Sequence, residues 1–193
     1  ANSSGTGNAG NVILQGQASP AQSILIDGVG SGIFTDTQST GVGGNIFINA
    51  STLNLENSGI LSAATSGTAP SAVGGTITVD ANVINMTNGA SITARDAAVL
   101  TAGGDINVET TTRSRGTSTA IDRVAGVYVT NPGGVLMASA GHDVNLIGAA
   151  MVSAGSATVS AANNINMGTV TEGYTISFSN KNIAGISSES REV

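Results

Sequence analysis

The stretch Ala140–Met167, AGHDVNLIGAAMVSAGSATVSAANNINM, carries two copies of one pattern, Val144-Asn145-Leu146 and Ile165-Asn166-Met167. Each copy sets an asparagine between two apolar residues, the alternation of a strand with one buried face. The asparagines lie 21 residues apart, and Val144, Met151, Thr158 and Ile165 step between them in sevens. A strand of three to five residues and a tight turn together use about seven residues. Three such sides close one coil of 21, which is the signature of an all-β, three-sided parallel β-helix.

Working outward, the same triad recurs as Leu53-Asn54-Leu55, Ile84-Asn85-Met86 and Ile106-Asn107-Val108, so the five copies are separated by 31, 22, 38 and 21 residues. Ile46, Leu53 and Ile60 are again seven apart. Recurrence of this kind means one unit laid down repeatedly, each burying its apolar side against its neighbours. A heptad also describes a coiled coil. Segments such as Gly43-Gly44-Asn45-Ile46-Phe47-Ile48-Asn49, however, are rich in Gly, Asn and β-branched residues, which disfavour helix and favour strand or turn.

The longer intervals have local explanations. The excess in the 31-residue interval corresponds to Ala64–Val73, a small-residue stretch with a proline that reads as a loop leaving a corner. The series Ile84, Ile92, Val99, Ile106 places one extra residue near Gly89-Ala90. The interval of 38 is close to two coils, with Val127-Tyr128-Val129 as an intervening strand and the polar Thr110–Ser118 segment bulging outward. This counting predicts one continuous solenoid over residues 1–193, with longer glycine-rich coils over 1–95 and shorter ones over 96–193. Roughly seven or eight coils at about 4.8 Å each make a rod of about 35 Å. The aliphatics of each triad point inward, and the outward asparagines of stacked coils form an amide ladder.

Composition agrees with a narrow, aliphatic core. Hydrophobic residues make up 40% of the chain, enough to exclude disorder. Aromatic residues are only 3% and Trp is absent, so the core must be filled by Val, Ile, Leu and Ala. Six basic against 12 acidic residues give a formal net charge of −6, which argues against nucleic acid as a partner. Without Cys there are neither disulfides nor thiolate metal sites, in keeping with a secreted chain that stays unfolded through an export pore. No apolar run approaches the roughly 18 residues of a membrane span.

Motifs with chemical meaning are few, and each has a structural explanation that outweighs it. Gly5-Thr6-Gly7-Asn8-Ala9-Gly10 matches a dinucleotide fingerprint in letters, but no strand precedes it and strand, not helix, follows at Asn11-Val12-Ile13-Leu14. Gly103-Gly104-Asp105 is a single copy of glycines before an aspartate, without the tandem repeats that a shared calcium ion needs. His142, in Gly141-His142-Asp143, is the sole histidine and reads as a surface turn, with no second His or Cys to complete a metal site. The acidic residues are scattered, with no pair that the period would stack for hydrolysis, and no aromatic platform for sugar rings is evident. The expectation is therefore no enzyme, no catalytic residue, no cofactor and no metal. Arg113, Arg115 and Arg123 concentrate half the positive charge within eleven residues and form the candidate contact loop for an anionic glycan or protein partner; a solvated loop is the plainer account.

The segments Arg123–Thr130, Leu136–Leu146 and Ala161–Thr171 together resemble the haemagglutinin repeats of filamentous-haemagglutinin-like exoproteins, including those of contact-dependent growth inhibition. The first half, with Gly43-Gly44-Asn45-Ile46 and Gly74-Gly75-Thr76-Ile77, is similar to a looser glycine-rich repeat of the same superfamily. The resemblance implies a right-handed β-helix shaft, exported by two-partner secretion through an outer-membrane transporter to the bacterial cell surface. It further implies that the shaft projects a receptor-binding or effector region toward a host or neighbouring cell. The secretion domain and toxin domain of that plan are not legible in the chain, so a segment of a longer protein is expected. The alternatives are a glycan- or receptor-binding β-helix module and, behind it, a polysaccharide-degrading β-helix enzyme. Exposed strand edges at the ends of such a piece predict end-to-end self-stacking.

Overall fold

The structure is a computed structural model that describes residues 1–4, 6–38, 40–66 and 73–174. Within them the chain is all-β: eighteen strands and no helix. The strands fall into columns of parallel neighbours. The first column stacks β1 (Val12–Leu14), the front of β4 (Ile46–Glu56), the front of β6 (Thr76–Thr87), β8 (Ala97–Ala102), β13 (Val135–Ala140) and β16 (Ser156–Ala161). The second stacks β2 (Ala21–Asp27), the rear of β4, the rear of β6, β9 (Ile106–Glu109), β14 (Val144–Ile147) and β17 (Ile165–Gly168). A third, separate sheet stacks β3 (Gly32–Phe34), β5 (Ile60–Ala63), β7 (Ser91–Ala94), β12 (Gly126–Val129) and β15 (Ala150–Ser153). The chain visits the three columns in the same rotation at each of the first five levels, so strands adjacent in space are one full circuit apart in sequence.

Register follows the buried side chains. Ile46, Ile77, Ala98 and Leu136 stack in the first column, Leu53, Ile84, Ile106 and Val144 in the second, and Leu61, Ile92 and Val127 in the third, all essentially inaccessible to water. Slipping one strand by a single residue would turn its whole apolar set outward, so burial pins the register. The core is aliphatic, with Met86 and several alanines filling gaps and no aromatic side chain fully buried among the described residues.

Several sequence expectations need correction. Two of the expected sides belong to one ten-stranded sheet, because β4 and β6 run through both columns without a break. In β4 the inward residues change phase from Ile46, Ile48 and Ala50 to Leu53 and Leu55, so the strand bends at Ser51-Thr52 with both residues outward. The even seven-residue steps also do not hold. Inward residues run Ile77, Ile84, Ile92, Ala98, in steps of seven, eight and six that still sum to 21. Val99 and Thr158 consequently face outward beside Met137. The extra residue assigned to Gly89-Ala90 belongs two corners later: Gly103-Gly104-Asp105 separates Ala102 from Ile106, where Asn82-Val83 alone separates Ala81 from Ile84.

Among the described residues six levels stack, against the seven or eight expected over residues 1–193, which makes a length of about 24 Å from five spacings of about 4.8 Å. The expected corner loop Ala64–Val73 falls largely on residues 67–72, outside the described residues. Glycine pairs mark corners where backbones of successive levels touch. A Cβ on Gly75 would lie 1.9 Å from the Gly44 carbonyl oxygen, and one on Gly44 2.1 Å from that of Gly10. Only glycine fits such an approach.

The outward asparagines do form a ladder. Asn85 Nδ2 donates to Asn54 Oδ1 at 2.9 Å, Asn107 Nδ2 to Asn85 Oδ1 at 2.8 Å, and Asn145 Nδ2 to Asn107 Oδ1 at 2.7 Å. Asn166 Nδ2 completes it with a 2.7 Å bond to Asn145 Oδ1. At the opposite end the same outward position is Leu25, which cannot extend the ladder.

Candidate functional site

The polar Thr110–Ser118 segment leaves the stack as expected, but as an antiparallel hairpin and not an irregular bulge. Strands β10 (Thr112–Arg115) and β11 (Ser118–Ile121) pair Thr112 with Ile121 through Arg115 with Ser118. Gly116 has φ 62° at the first position of the two-residue turn, as a II′ turn requires. The sequence shows these strands poorly because TRSR and STAI lack an apolar face.

The neck of the hairpin is held by one buried threonine. Thr110 Oγ1 donates to the Gly148 carbonyl at 2.6 Å and accepts the Ala125 N–H at 2.9 Å, closing the chain across the departing loop. On the far side β11 pairs with β18 (Gly173–Tyr174), and the Ile121 N–H donates to Glu172 Oε1 at 2.8 Å.

Beneath the hairpin lies a stacked corner in the left-handed backbone region: Gly28 (φ 100°), Asn57 (48°) with Ser58 (72°), and Asn88 (51°) with Gly89 (77°). Asparagine tolerates this conformation better than most residues. Here its amides also bind successive levels: Asn88 Nδ2 donates to Asn57 Oδ1 at 2.5 Å, and Asn57 Nδ2 to Asp27 Oδ1 at 2.8 Å. Hairpin and corner enclose a groove of about 400 Å³ lined by Gly28, Val29, Asn57, Ser58, Asn88, Arg113, Asp122 and Arg123.

The three arginines are therefore not equivalent. Arg113 lines the groove with its Nε 3.0 Å from Asp122 Oδ2, both side chains well exposed. Arg123 lines the groove and has no carboxylate partner among the described residues. Arg115 sits beside the turn and does not line it. The asparagine and serine walls went unnoticed in the sequence because they lie 25 to 66 residues from the arginines, at levels that only stacking brings near.

His142 is the exposed turn residue the sequence suggested, but the cluster it belongs to corrects the reading of the acids. Ile106 pairs with Val144, so Gly104-Asp105 lies beside His142-Asp143 on adjacent levels. His142 Nδ1 is 2.8 Å from Asp105 Oδ1 and 3.5 Å from Asp143 Oδ2, with the histidine 57% exposed. Asp105 Oδ1 also accepts the Asp143 N–H at 3.0 Å, and Asp143 Oδ1 accepts from Asn163 Nδ2 and the Asn164 N–H, both at 2.9 Å. The Asp143 N–H first, then the His142 ring, hold the Asp105 carboxyl below its ordinary value. Asp105's hydrogen bond, with the Asp143 charge behind it, raises the imidazole above its own.

One imidazole and two carboxylates, with ligand atoms within 4.8 Å of one another, are donors that a divalent transition ion accepts. Such an ion would have to displace the hydrogen bond that His142 already makes. The acids are thus less scattered than the sequence suggests: Asp105 stacks on Asp143, and Asp27 pairs in register with Glu56.

The chain was compared with protein-family models, with characterised proteins and with solved structures, and it matches none of them.

Proposed function

We propose that the chain is a right-handed, three-sided parallel β-helix serving as a shaft segment of a large secreted bacterial surface exoprotein. In this reading it projects a receptor-binding or effector region in adhesion or contact-dependent inhibition, after export through an outer-membrane two-partner-secretion transporter. The observation that supports it best is the asparagine ladder running through five levels in the same register as the buried triads. A unit that repeats its core and its outer surface at each level builds length, and length is what a shaft supplies.

The test is replacement within the parent exoprotein. Deleting the segment should weaken engagement of target cells, and an unrelated β-helix of equal length should restore it. Failure of that replacement would remove the shaft reading and leave a specific binding role.

A second reading, a glycan- or receptor-contact module, is favoured by one observation: the sole parallel-to-antiparallel departure among the described strands holds Arg113 over a formed groove that Arg123, just past β11, also lines. The two readings are compatible, since a shaft can carry a contact hairpin on its flank. Neutralising Arg113, Arg115 and Arg123 together without changing adherence of the parent protein would dismiss the contact role.

A further inference from the structure

The groove beneath the β10–β11 hairpin has the chemistry of a site for one acidic sugar unit. From it we infer that the chain binds uronate-bearing polysaccharide, with Arg123 taking the sugar carboxylate; this rests on the contact-module reading above.

Charge decides the class of ligand first. Arg113 is engaged by Asp122 at 3.0 Å, whereas Arg123 faces the groove with no acid partner among the described residues. The three charges therefore leave a single positive excess on a chain whose formal net charge is −6. A ligand with one negative charge per unit is complementary to that arrangement. A densely sulfated polymer would bring several charges against Asp122 and the acidic remainder of the surface. A guanidinium also presents two parallel N–H donors that match a planar carboxylate.

The remaining walls suit vicinal hydroxyls. Asn88 Nδ2 is committed to Asn57 and Asn57 Nδ2 to Asp27, and no described donor reaches Asn88 Oδ1. That oxygen and the second oxygen of Asp122 are acceptors, and each amide keeps a further N–H. Val29, 83% exposed at the lip, supplies apolar surface for a ring face.

Both walls are already held in place, one by the amide column and the other by the Thr110 neck, so binding orders few side chains. The volume of about 400 Å³ lies near the lower end of ligand sites, about 300–1,000 Å³. With no aromatic platform in the groove, the single-site dissociation constant should be on the order of 0.1–1 mM, and affinity for polymer would come from multiple chains or sites.

The experiment titrates the whole chain at low salt with three probes: an oligogalacturonate, a neutral glucose oligomer of the same length, and a heparin-derived oligosaccharide. Chemical-shift perturbation reads affinity and location. The uronate should shift groove resonances while the neutral oligomer does not. Arg123→Gln should weaken uronate binding about 10-fold or more, the loss of one charged hydrogen-bonding group. Arg115→Gln, outside the groove, should leave it unchanged, and circular dichroism confirms that both variants fold. Equal loss in the two variants would overturn the site in favour of diffuse attraction. Binding of heparin alone would overturn the uronate assignment while sparing the contact hairpin. If the wild type binds no anionic sugar, the inference falls; the contact reading then falls only if the triple arginine variant also leaves adherence intact.

Discussion

Removing one rung from the middle of the asparagine ladder should cost more than removing the same residue at its end. Asn107 donates to Asn85 at 2.8 Å and accepts from Asn145 at 2.7 Å, whereas Asn166 makes one ladder bond, to Asn145 at 2.7 Å. Asn107→Ala leaves an oxygen on Asn85 and an N–H on Asn145 without partners, in positions only partly open to water. At about 0.5–1.5 kcal/mol net per hydrogen bond, two bonds make a loss of about 1–3 kcal/mol. Asn166→Ala, exposed and singly bonded, should lose about 0.5–1 kcal/mol because water replaces its partner.

Asn107→Asp sharpens the comparison: it keeps the acceptor for Asn145, loses the donor for Asn85, and so should fall between alanine and wild type in low-salt buffer. Urea unfolding at constant slope m measures all three. Equal losses for Asn107→Ala and Asn166→Ala, or a loss below about 0.3 kcal/mol at Asn107, would refute the ladder as a source of stability.

Other expectations follow from the same stacking. Ile84→Ala, in a fully buried position, should cost about 2–5 kcal/mol in the same assay, against a much smaller loss for Ile165→Ala, where the side chain is 48% exposed. Gly75→Ala drives a Cβ into the Gly44 carbonyl, so soluble yield and melting temperature should both drop sharply; an unchanged melt would refute the close approach.

The His142–Asp105 pair predicts a pH window. The raised imidazole contributes stability below its unfolded value near 6.5 and loses it as pH rises through the folded value; the lowered carboxyl contributes above 3.8 and loses it as pH falls through its own. The pair should therefore stabilise most between those limits. In an NMR titration the His142 midpoint should lie above 6.5 and return toward it in Asp105→Asn; a midpoint unmoved by that substitution would contradict the geometry. Finally, Ile165 and Met167, the latter 80% exposed, lie on the last described strand of the second column, and lysine at both positions should suppress concentration-dependent association. A parent chain that stays monomeric at high concentration would count against end-to-end stacking.

The triads were legible in the sequence because alternation is a local matter. An aliphatic two residues from another must face the same way on a strand, and burial then decides which way that is. Leu53, Ile84, Ile106 and Val144 were thus placed inward and their asparagines outward from spacing alone. The 21-residue spacing was legible for the same reason where no loop intervenes, from Ile77 to Ala98 and from Leu136 to Ala157.

Thr158 shows where that reasoning stops. Steps of seven, eight and six sum to the same circuit as three sevens, so the period conserves the perimeter and leaves the corners free. Only packing between levels decided that β4 bends without breaking, that Thr158 faces outward, and that TRSR pairs with STAI across a glycine turn. The groove and the Asp105–His142 bond belong wholly to that second class, because Arg123 shares a groove with Asn57 and His142 meets Asp105 across levels. Which residues become neighbours there depends on how many residues each intervening corner spends. The sequence determined a stack with an aliphatic inside and an asparagine ladder outside; the tertiary structure decided which polar groups the stack brings together.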